Sequence, residues 1–220
     1  MGLVAMRVEI WTDVVCPWCY VGKRRFERAL AGFEHRGDVE VVHRAYQLNP
    51  AAPKDATTSR RENLKSKYRL SDDQVTAMNR QMEETARAEG LDYDLSGDLT
   101  GNTFDAHRVL HLALAHGVQD QVIERLYRAY FTERRSVFDH ASLVALAAEA
   151  DLDAEEVRRM LASNDYADAV TQDIEEARAL GASGVPFFVV DGRYGVSGAQ
   201  APEVFAQVLE RAWSDDNTAR

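Results

Sequence analysis

Two cysteines separated by a proline and a tryptophan are the residues whose types and spacing suggest chemistry. They form the run Cys16-Pro17-Trp18-Cys19 and are the 2 cysteines of a 220-residue chain. Pro17 suits the first position of a helix, where its missing N–H is not needed and its φ is already helical. Cys16 then lies at the helix start, where free N–H groups and the helix dipole stabilise a thiolate over a thiol. Cys19 follows one turn later, within reach to close a disulfide ring.

Two other roles for this pair have to be compared with a redox role. A structural zinc site normally needs four ligands, often from two such pairs, and the sequence holds no second pair. Two buried cysteines without chemistry would need neither a proline between them nor a junction between a strand and a helix around them. The sequence therefore predicts a redox-active Cys16–Cys19 disulfide, with no bound metal or other cofactor.

Composition and charge restrict the possible classes of protein. A hydrophobic fraction of 45% suffices for a core, and 220 residues allow one large domain or a small domain with an insertion. The net charge of −10 argues against nucleic-acid or anionic membrane partners. No run reaches the roughly 18 apolar residues of a membrane span. Residues 1–7 lack the features of a signal peptide, so we expect a cytoplasmic protein; no oligomeric state is inferred.

The predicted elements around the dithiol are a strand, a helix and a second strand. An apolar run before Cys16 is strand-like, and the following helix has a buried stripe at helical spacing, namely Tyr20, Phe26, Leu30 and Phe33. Its cationic residues, interpreted as a solvated face, are Lys23, Arg24, Arg25 and Arg28. A turn at Gly37-Asp38 leads to a second strand over residues 39–48, which Pro50 and Pro53 end.

Residues from about 61 to 181 have helical periodicity throughout. The predicted helix starts are a capping box of Ser71 with Gln74, the pair Asn102-Thr103, Asp139, Asp153 with Glu156, and Asn164. The predicted helix ends are Gly90, Gly117 and Gly181. These helices are expected to cover the dithiol as a lid.

The last part of the chain returns to β structure. A strand over residues 187–190, a turn at Asp191-Gly192 and a partner strand over 194–197 form a hairpin, and Pro202 starts a closing helix. The order predicts an α/β fold of thioredoxin type, with an all-helical domain inserted between a βαβ half and an αββα half. The predicted boundaries are 7–57 and 165–213 for the thioredoxin-like domain, 58–164 for the insertion and 214–220 for a disordered tail.

Gly184-Val185-Pro186, directly before an apolar strand, is the second informative site. A cis bond before Pro186 would expose the backbone of Val185, which could pair with an extended substrate. An ordinary trans proline at a strand start is the alternative. With the dithiol upstream and the hairpin downstream, we predict the cis form.

Six motifs in order along the chain carry a resemblance to a known family. They are Trp11-Thr12-Asp13, Cys16-Pro17-Trp18-Cys19-Tyr20-Val21-Gly22, Tyr46-Gln47-Leu48-Asn49-Pro50, Asn102-Thr103-Phe104-Asp105-Ala106-His107-Arg108, Gly184-Val185-Pro186-Phe187-Phe188 and Val196-Ser197-Gly198-Ala199-Gln200. Together they resemble the DsbA family, and more narrowly its FrnE-like cytoplasmic branch. The resemblance implies a thiol–disulfide oxidoreductase that acts on protein or small-molecule thiols and disulfides.

The resemblance also implies roles for single residues. Cys16 would be the attacking thiolate, Cys19 the resolving thiol and Pro186 the cis-proline, with substrate contacts at Pro17, Trp18 and Val185. Two features depart from the family. Trp18 stands where the periplasmic DsbA has His, so that protein's unusually stable thiolate is not carried over. The second, C-terminal cysteine pair of some FrnE-like proteins is absent from this chain.

Related proteins supply the alternatives. In 2-hydroxychromene-2-carboxylate isomerases and kappa-class glutathione transferases, residues similar to Asn102, Thr103 and His107 lie near the glutathione or substrate pocket. The resemblance therefore suggests substrate contacts there and glutathione as a co-substrate. Those proteins typically have Ser at the nucleophile position and no CxxC, unlike this chain. A glutathione-dependent isomerase or transferase remains the first alternative, and a non-catalytic holdase the second.

Two further signals are weaker. Asp13, three residues before Cys16, could hold the proton of Cys19 through water, or it could be a turn residue at the end of the strand. His107 and His111 have a spacing compatible with a metal on one helix. Because no HExxH pattern surrounds them, we predict packing or substrate contact and no metal.

Overall fold

The residues that this computed structural model describes, 6–54, 56–97 and 99–218, contain a four-stranded sheet, a two-stranded sheet of β3 and β4, and nine α-helices. The chain begins with β1 (Met6–Thr12), α1 (Pro17–Gly32) and β2 (Val39–Ala45). The middle contains β3 (Thr58–Ser59), α2 (Arg60–Tyr68), α3 (Asp72–Ala88), β4 (Leu99–Thr100), α4 (Phe104–Ala115), α5 (Gln119–Phe131), α6 (His140–Ala148), α7 (Ala154–Ala162) and α8 (Ala167–Ala179). The chain then forms β5 (Phe187–Val190), β6 (Tyr194–Ser197) and α9 (Pro202–Thr218).

The sheet has the strand order β2-β1-β5-β6. β1 and β2 run parallel, as the α1 crossover requires, and β5 and β6 are antiparallel to their neighbours. Asp191 and Gly192, with left-handed φ angles of 50° and 65°, and Arg193 make up the three-residue connection of the β5–β6 hairpin. This is the predicted thioredoxin fold with a helical insertion.

The sheet packs helices on both faces. Met6, Val8 and Ile10 alternate along β1 and bury their side chains against α1 and α9, where Phe26 and Phe205 lie. The opposite face carries Trp11, Phe187 and Val189, which pack with Ala177 of α8. The C-terminal end of β1 is therefore buried on both faces, which keeps it fixed beside the dithiol.

The inserted helices form their own apolar core, and the dithiol belongs to it. Both cysteines and Tyr20 pack in one cluster with Leu126 and Phe131 of α5. The start of α1 is thus covered by the insertion instead of opening to solvent on all sides. The predicted boundaries at 57/58 and 164/165 stay predictions, since α8 contacts both β2 and α4.

Several predicted helix limits agree with the structure, and one is wrong. Ser71 and Gln74 form the capping box of α3, while Asp139 and Asp153 cap α6 and α7. Asn164, however, does not cap α8. The helix begins three residues later, after Tyr166 in a left-handed conformation, because the backbone of the intervening turn is held by Arg108.

The strands and the tail need three corrections. The second strand ends at Ala45 because its partner β1 ends at Thr12, opposite it; Leu48 N then donates to the Asp13 carboxylate. β3 and β4, too short for a sequence pattern, were not predicted. The predicted tail is helical as far as Thr218, and Asp215 contacts Tyr194. Residues 1–5 and 219–220 lie outside the described residues.

Of the four cationic residues of α1 only Arg28 is exposed, so they do not form the predicted solvated face. Lys23 is 4% exposed and contacts Glu27, Asp120 and Glu124. The remaining three also meet carboxylates of α1, α3 and α5, in the pairs Arg24–Glu27, Arg24–Glu124, Arg25–Glu89 and Arg28–Glu89. The sequence suggests a solvated face because most of the partner carboxylates are distant in sequence. The ion pairs connect α1, which carries the dithiol, to the insertion.

Candidate active site

The dithiol is held at the first turn of α1. Cys16 is the N-cap residue, with extended backbone, and Pro17 occupies the first helical turn. The Cys16 N–H donates to Asp13 O, and the Cys19 N–H donates to Cys16 O, both at 3.0 Å. Both cysteines are free and buried. The side chain of Cys16 thus begins where the N–H groups of the first helical turn have no partner within the helix.

The loop before β5 faces the dithiol. The Val185–Pro186 bond is cis, the geometry that the sequence predicts. The Cys16 Sγ lies 3.5 Å from Val185 O, and Pro186 is buried against α1. A Cβ placed on Gly22 would lie 2.8 Å from Pro186 Cγ, so this position of α1 requires glycine for the close approach.

A groove of about 580 Å³ opens beside Cys16 and runs along α2 and α3. Its lining combines the predicted contact residues Pro17, Trp18 and Val185 with apolar and polar side chains of the insertion. Large apolar side chains at its mouth are exposed, namely Trp18, Leu48 and Tyr68. The cations on its wall are Arg60 and Lys67. The groove can therefore hold a molecule much larger than a single thiol beside the sulfur.

Cys19 occupies a different environment. It is 2% exposed, and it is not among the described residues that line the groove. Burial raises the pKa of the Cys19 thiol well above its ordinary value, and the neighbouring Cys16 raises it further, while the Thr12 hydroxyl acts in the opposite direction. Both thiols are buried, but Cys16 lies in the wall of the groove and Cys19 does not.

Asp13 lies at the bottom of the groove. It is 1% exposed, and its Oδ2 accepts from Leu48 N at 2.8 Å. Its Oδ1 is buried without a hydrogen-bond partner in the described part of the chain, 3.6 Å from His107 Nε2. A buried carboxylate oxygen with free acceptor capacity beside a dithiol could hold a proton in transit.

The other predicted contact residues lie behind the groove. Asn102, Thr103 and His107 are buried and do not line it. Asn102 donates to Ala52 O and accepts from the N–H of Phe104. His107 Nε2 meets Tyr46 O at 2.9 Å. These residues hold the segment after β2 and the start of α4 in place beside Asp13.

His107 and His111 do not contact a common group. His111 Nε2 lies 2.8 Å from Asp173 Oδ2, on a buried carboxylate that also accepts from Ala45 N. Within residues 6–54, 56–97 and 99–218, no group of three or more His, Cys, Asp or Glu side chains is arranged for a metal ion.

The sequence did not indicate the aromatic residues that surround the dithiol. Tyr93 donates to Pro17 O at 2.9 Å, and Tyr127 contacts the Thr12 hydroxyl. Tyr20 stacks on Tyr127 with ring centroids 4.8 Å apart. Tyr93 and Tyr127 lie more than 70 residues from the dithiol segment they contact, so no local pattern marks them as its neighbours.

The protein belongs to the thioredoxin-fold class. Its sheet topology and the position of the cis-proline loop opposite the start of α1 define that class. A family model described as a DSBA-like thioredoxin domain matches residues 7–210, and the chain belongs to this family. Assignment to its FrnE-like branch stays a prediction.

Three known proteins illustrate the similarity. A probable DsbA oxidoreductase from Streptomyces coelicolor is 52% identical with a TM-score of 0.91, and the match covers 95% of this chain and 90% of that one. The uncharacterized protein YwbO of Bacillus subtilis is 26% identical over 214 residues, which cover 97% and 98% of the two chains. The cytosolic disulfide reductase DsbM from Pseudomonas aeruginosa, solved with GSH, shares the fold at 17% identity and a TM-score of 0.65, covering 94% and 99%.

No helix in the described ranges combines the length and the apolar character that crossing a membrane requires.

Proposed function

We propose that this DsbA-family protein exchanges disulfides through Cys16 and Cys19. The observation that carries the proposal is the position of Cys16: its side chain starts at the N-terminus of α1, lines the groove and lies 3.5 Å from Val185 O. A helix N-terminus favours the thiolate, which is the attacking species in exchange. Cys19 stands one turn away, where it can attack a disulfide formed on Cys16.

The reaction has two steps. The Cys16 thiolate attacks one sulfur of a substrate R–S–S–R′, so that a Cys16–S–S–R bond forms and R′–S⁻ leaves and is protonated. The Cys19 thiolate then attacks the Cys16 sulfur, releases R–S⁻ and closes the Cys16–Cys19 disulfide. The substrate gains two electrons and the protein loses two; the reverse sequence oxidises a dithiol. Asp13, with its free Oδ1, is proposed to hold the proton that Cys19 gives up.

The substrates of this proposal are protein disulfides or small thiols and disulfides, with glutathione as a candidate co-substrate. Exposed Trp18, Leu48 and Tyr68 suit apolar parts of a substrate, and the Val185 backbone suits an extended peptide. The structure of DsbM with GSH supports a small-thiol partner, and its cytosolic description is consistent with a cytoplasmic location.

Trapping experiments test the proposal. With oxidised glutathione, Cys19→Ser should accumulate a mixed disulfide between Cys16 and glutathione, because the resolving thiol is gone. Cys16→Ser should accumulate none. Iodoacetamide at pH 7 should label Cys16 well before Cys19, which is buried and has a raised thiol pKa. Equal labelling of the two cysteines, or no mixed disulfide on Cys19→Ser, would refute the assignment.

Activity measurements separate this function from the alternatives. Wild type should consume oxidised glutathione or reduce insulin with dithiothreitol, and it should lose this activity in Cys16→Ser. Turnover of an aromatic substrate that survives Cys19→Ser would instead indicate an isomerase or transferase. Suppression of aggregation with both thiols removed would indicate a holdase. A reduction potential near roughly −270 mV would indicate a reductase, and one near about −120 mV an oxidant.

A further inference from the structure

Two buried hydroxyl groups from different parts of the fold meet beside Cys19. Thr12 is the last residue of β1, and Tyr127 projects from α5 of the insertion; each is 1% exposed. Their hydroxyl oxygens are in direct hydrogen-bond contact. The Thr12 hydroxyl lowers the pKa of the Cys19 thiol, against the effect of burial, and Cys19 packs in the same apolar cluster as Tyr127.

The chemistry of the two hydroxyl groups determines which of them donates and which accepts in these hydrogen bonds. A threonine hydroxyl has one proton to donate and lone pairs to accept. If Thr12 donates its proton to the Cys19 sulfur, its oxygen can accept the proton of the Tyr127 hydroxyl. Burial, together with the cysteines, raises the pKa of the Tyr127 phenol well above its usual value. Tyr127 therefore keeps its proton and acts as a donor.

We propose that Thr12 and Tyr127 form a hydroxyl pair that stabilises the Cys19 thiolate while the mixed disulfide is resolved. In this proposal the Thr12 hydroxyl donates a hydrogen bond to the reacting sulfur. Tyr127 acts through Thr12 and is a positioning residue. The inference rests on the proposed function, because only disulfide exchange requires this buried sulfur to become a nucleophile.

The pair supplies hydrogen bonds, and no covalent bond of either residue is formed or broken in the reaction. Cys19–SH loses its proton, the resulting thiolate attacks the Cys16 sulfur of Cys16–S–S–R, and R–S⁻ leaves and accepts a proton. A hydrogen bond to a charged group is stronger than one to a neutral group. The pair therefore stabilises the thiolate more than the thiol and lowers the barrier to resolution. The attack of Cys16 on a substrate does not involve it.

The direct test measures Cys19 alone. In a Cys16→Ser background, the rate at which iodoacetamide alkylates Cys19 is followed between pH 8 and 10. We expect Thr12→Val and Tyr127→Phe each to lower this rate several-fold to about tenfold at a given pH, the range of one charge-assisted hydrogen bond. Thr12→Ser keeps the hydroxyl and should restore most of the rate. Tyr20→Phe is the matched control, because its hydroxyl donates to Glu124 instead.

Unchanged alkylation in Thr12→Val would overturn the role of Thr12, and an unchanged rate in Tyr127→Phe would overturn the pair. A loss in Thr12→Ser equal to that in Thr12→Val would show a packing effect and also overturn it. If Thr12→Val does not fold, Thr12→Ser and Tyr127→Phe decide the question.

A second measurement keeps this inference apart from the proposed function. With both cysteines present, the mixed disulfide formed from oxidised glutathione should be resolved several-fold more slowly in Tyr127→Phe, while its formation rate stays at the wild-type value. A wild-type protein that forms no mixed disulfide would refute the exchange function. The alkylation rates would still report on the hydroxyl pair.

Discussion

At the scale of single residues, two chemically identical thiols differ because of what surrounds them. Cys16 lines the groove, at the start of a helix. Cys19 is enclosed by the core of the insertion, and burial raises its thiol pKa. Two different environments for the same side chain follow from a separation of three residues. The unequal roles proposed for the two thiols rest on this local geometry.

Gly22 provides a test of how closely the cis-proline loop must approach the dithiol helix. A Cβ at this position would lie 2.8 Å from Pro186 Cγ, and a ring held in a buried loop has little freedom to move. We expect Gly22→Ala to reduce the free energy of unfolding by about 1–3 kcal/mol, the usual cost of overpacking. It should also slow mixed-disulfide formation by displacing Val185. Urea denaturation and oxidised-glutathione kinetics measure the two effects.

Gly32→Ala is the matched control for this prediction. It lies at the other end of the same helix, and an added Cβ would meet nothing within 4 Å. Alanine has the higher helix propensity by up to about 1 kcal/mol, so this variant should be neutral or slightly more stable. Equal stability of Gly22→Ala and wild type would contradict the proposed close contact.

Site residues could be predicted from the sequence where the signal is local. Cys16, Cys19 and Pro186 are marked by their immediate neighbours, and so is the turn at Asp191-Gly192. Thr12 and Tyr127 could not be recognised as a pair, because 115 residues separate them and each fits a buried stripe. A periodicity identifies a buried face, and it does not say which distant side chain that face will meet.

At the scale of secondary structure, a buried arginine holds the end of one helix against another. Arg108 of α4 is 4% exposed, and its guanidinium donates to the carbonyl oxygens of Met160, Ser163 and Asp165 and to the Asp105 carboxylate. Met160 O, in the last turn of α7, also accepts from Ser163, and the Ser163 and Asp165 carbonyl groups lie in the turn after the helix. Arg108 satisfies them and shapes the turn into α8.

Replacing Arg108 with methionine should therefore be strongly destabilising. The apolar stem would be kept, but the Met160, Ser163 and Asp165 carbonyl oxygens and the Asp105 carboxylate would each lose a hydrogen bond, at a cost of about 0.5–1.5 kcal/mol each and more for the charged carboxylate. We expect the free energy of unfolding to fall by roughly 3 kcal/mol in a urea titration. Arg128→Ala is the control, because its ion pair with Glu133 is largely exposed and worth less than about 1 kcal/mol. Similar losses in the two variants would disprove the role of Arg108.

Helix starts were predictable for the same local reason, and helix surroundings were not. Ser71, Asp139 and Asp153 cap their helices through hydrogen bonds that span three residues. The failure at Asn164 follows from Arg108, which lies more than 50 residues upstream and sets the turn. The cationic side of α1 was misjudged because its carboxylate partners come from α3 and α5.

At the scale of the whole molecule, the insertion and the sheet are joined by charged and polar groups next to the dithiol helix. Lys23 of α1, Asp120 of α5 and His43 of β2 meet at one point, with distances from Asp120 Oδ1 of 3.0 Å to Lys23 Nζ and 3.5 Å to His43 Nε2. His43 is 4% exposed, and neither ring nitrogen has a hydrogen-bond partner among the described residues. Burial lowers the pKa of this histidine below its ordinary value and Lys23 lowers it further, while the Asp120 carboxylate acts in the opposite direction without reversing the shift.

This histidine should make the stability of the protein sensitive to mild acid. Its pKa is about 6.5 in an unfolded chain and lower in the folded protein. Below about pH 7 the unfolded state therefore binds a proton that the folded state does not, and the free energy of unfolding falls as the pH falls toward the folded pKa. The contribution of one group has a maximum slope of about 1.4 kcal/mol per pH unit. Urea titrations at pH 7, 6 and 5 measure it.

We expect His43→Leu to flatten this pH dependence while keeping the buried volume. Because the ring nitrogens of His43 have no hydrogen-bond partner among the described residues, the leucine variant should also be about as stable as wild type at pH 7. His116→Gln removes a histidine whose side chain is 44% exposed, and it should leave the slope unchanged. A His43→Leu variant that loses stability between pH 7 and 5 as steeply as wild type would show that acid acts elsewhere. A flatter dependence of the free energy of unfolding on pH would assign the acid sensitivity to the contact between β2, α1 and α5, next to the helix that carries the dithiol.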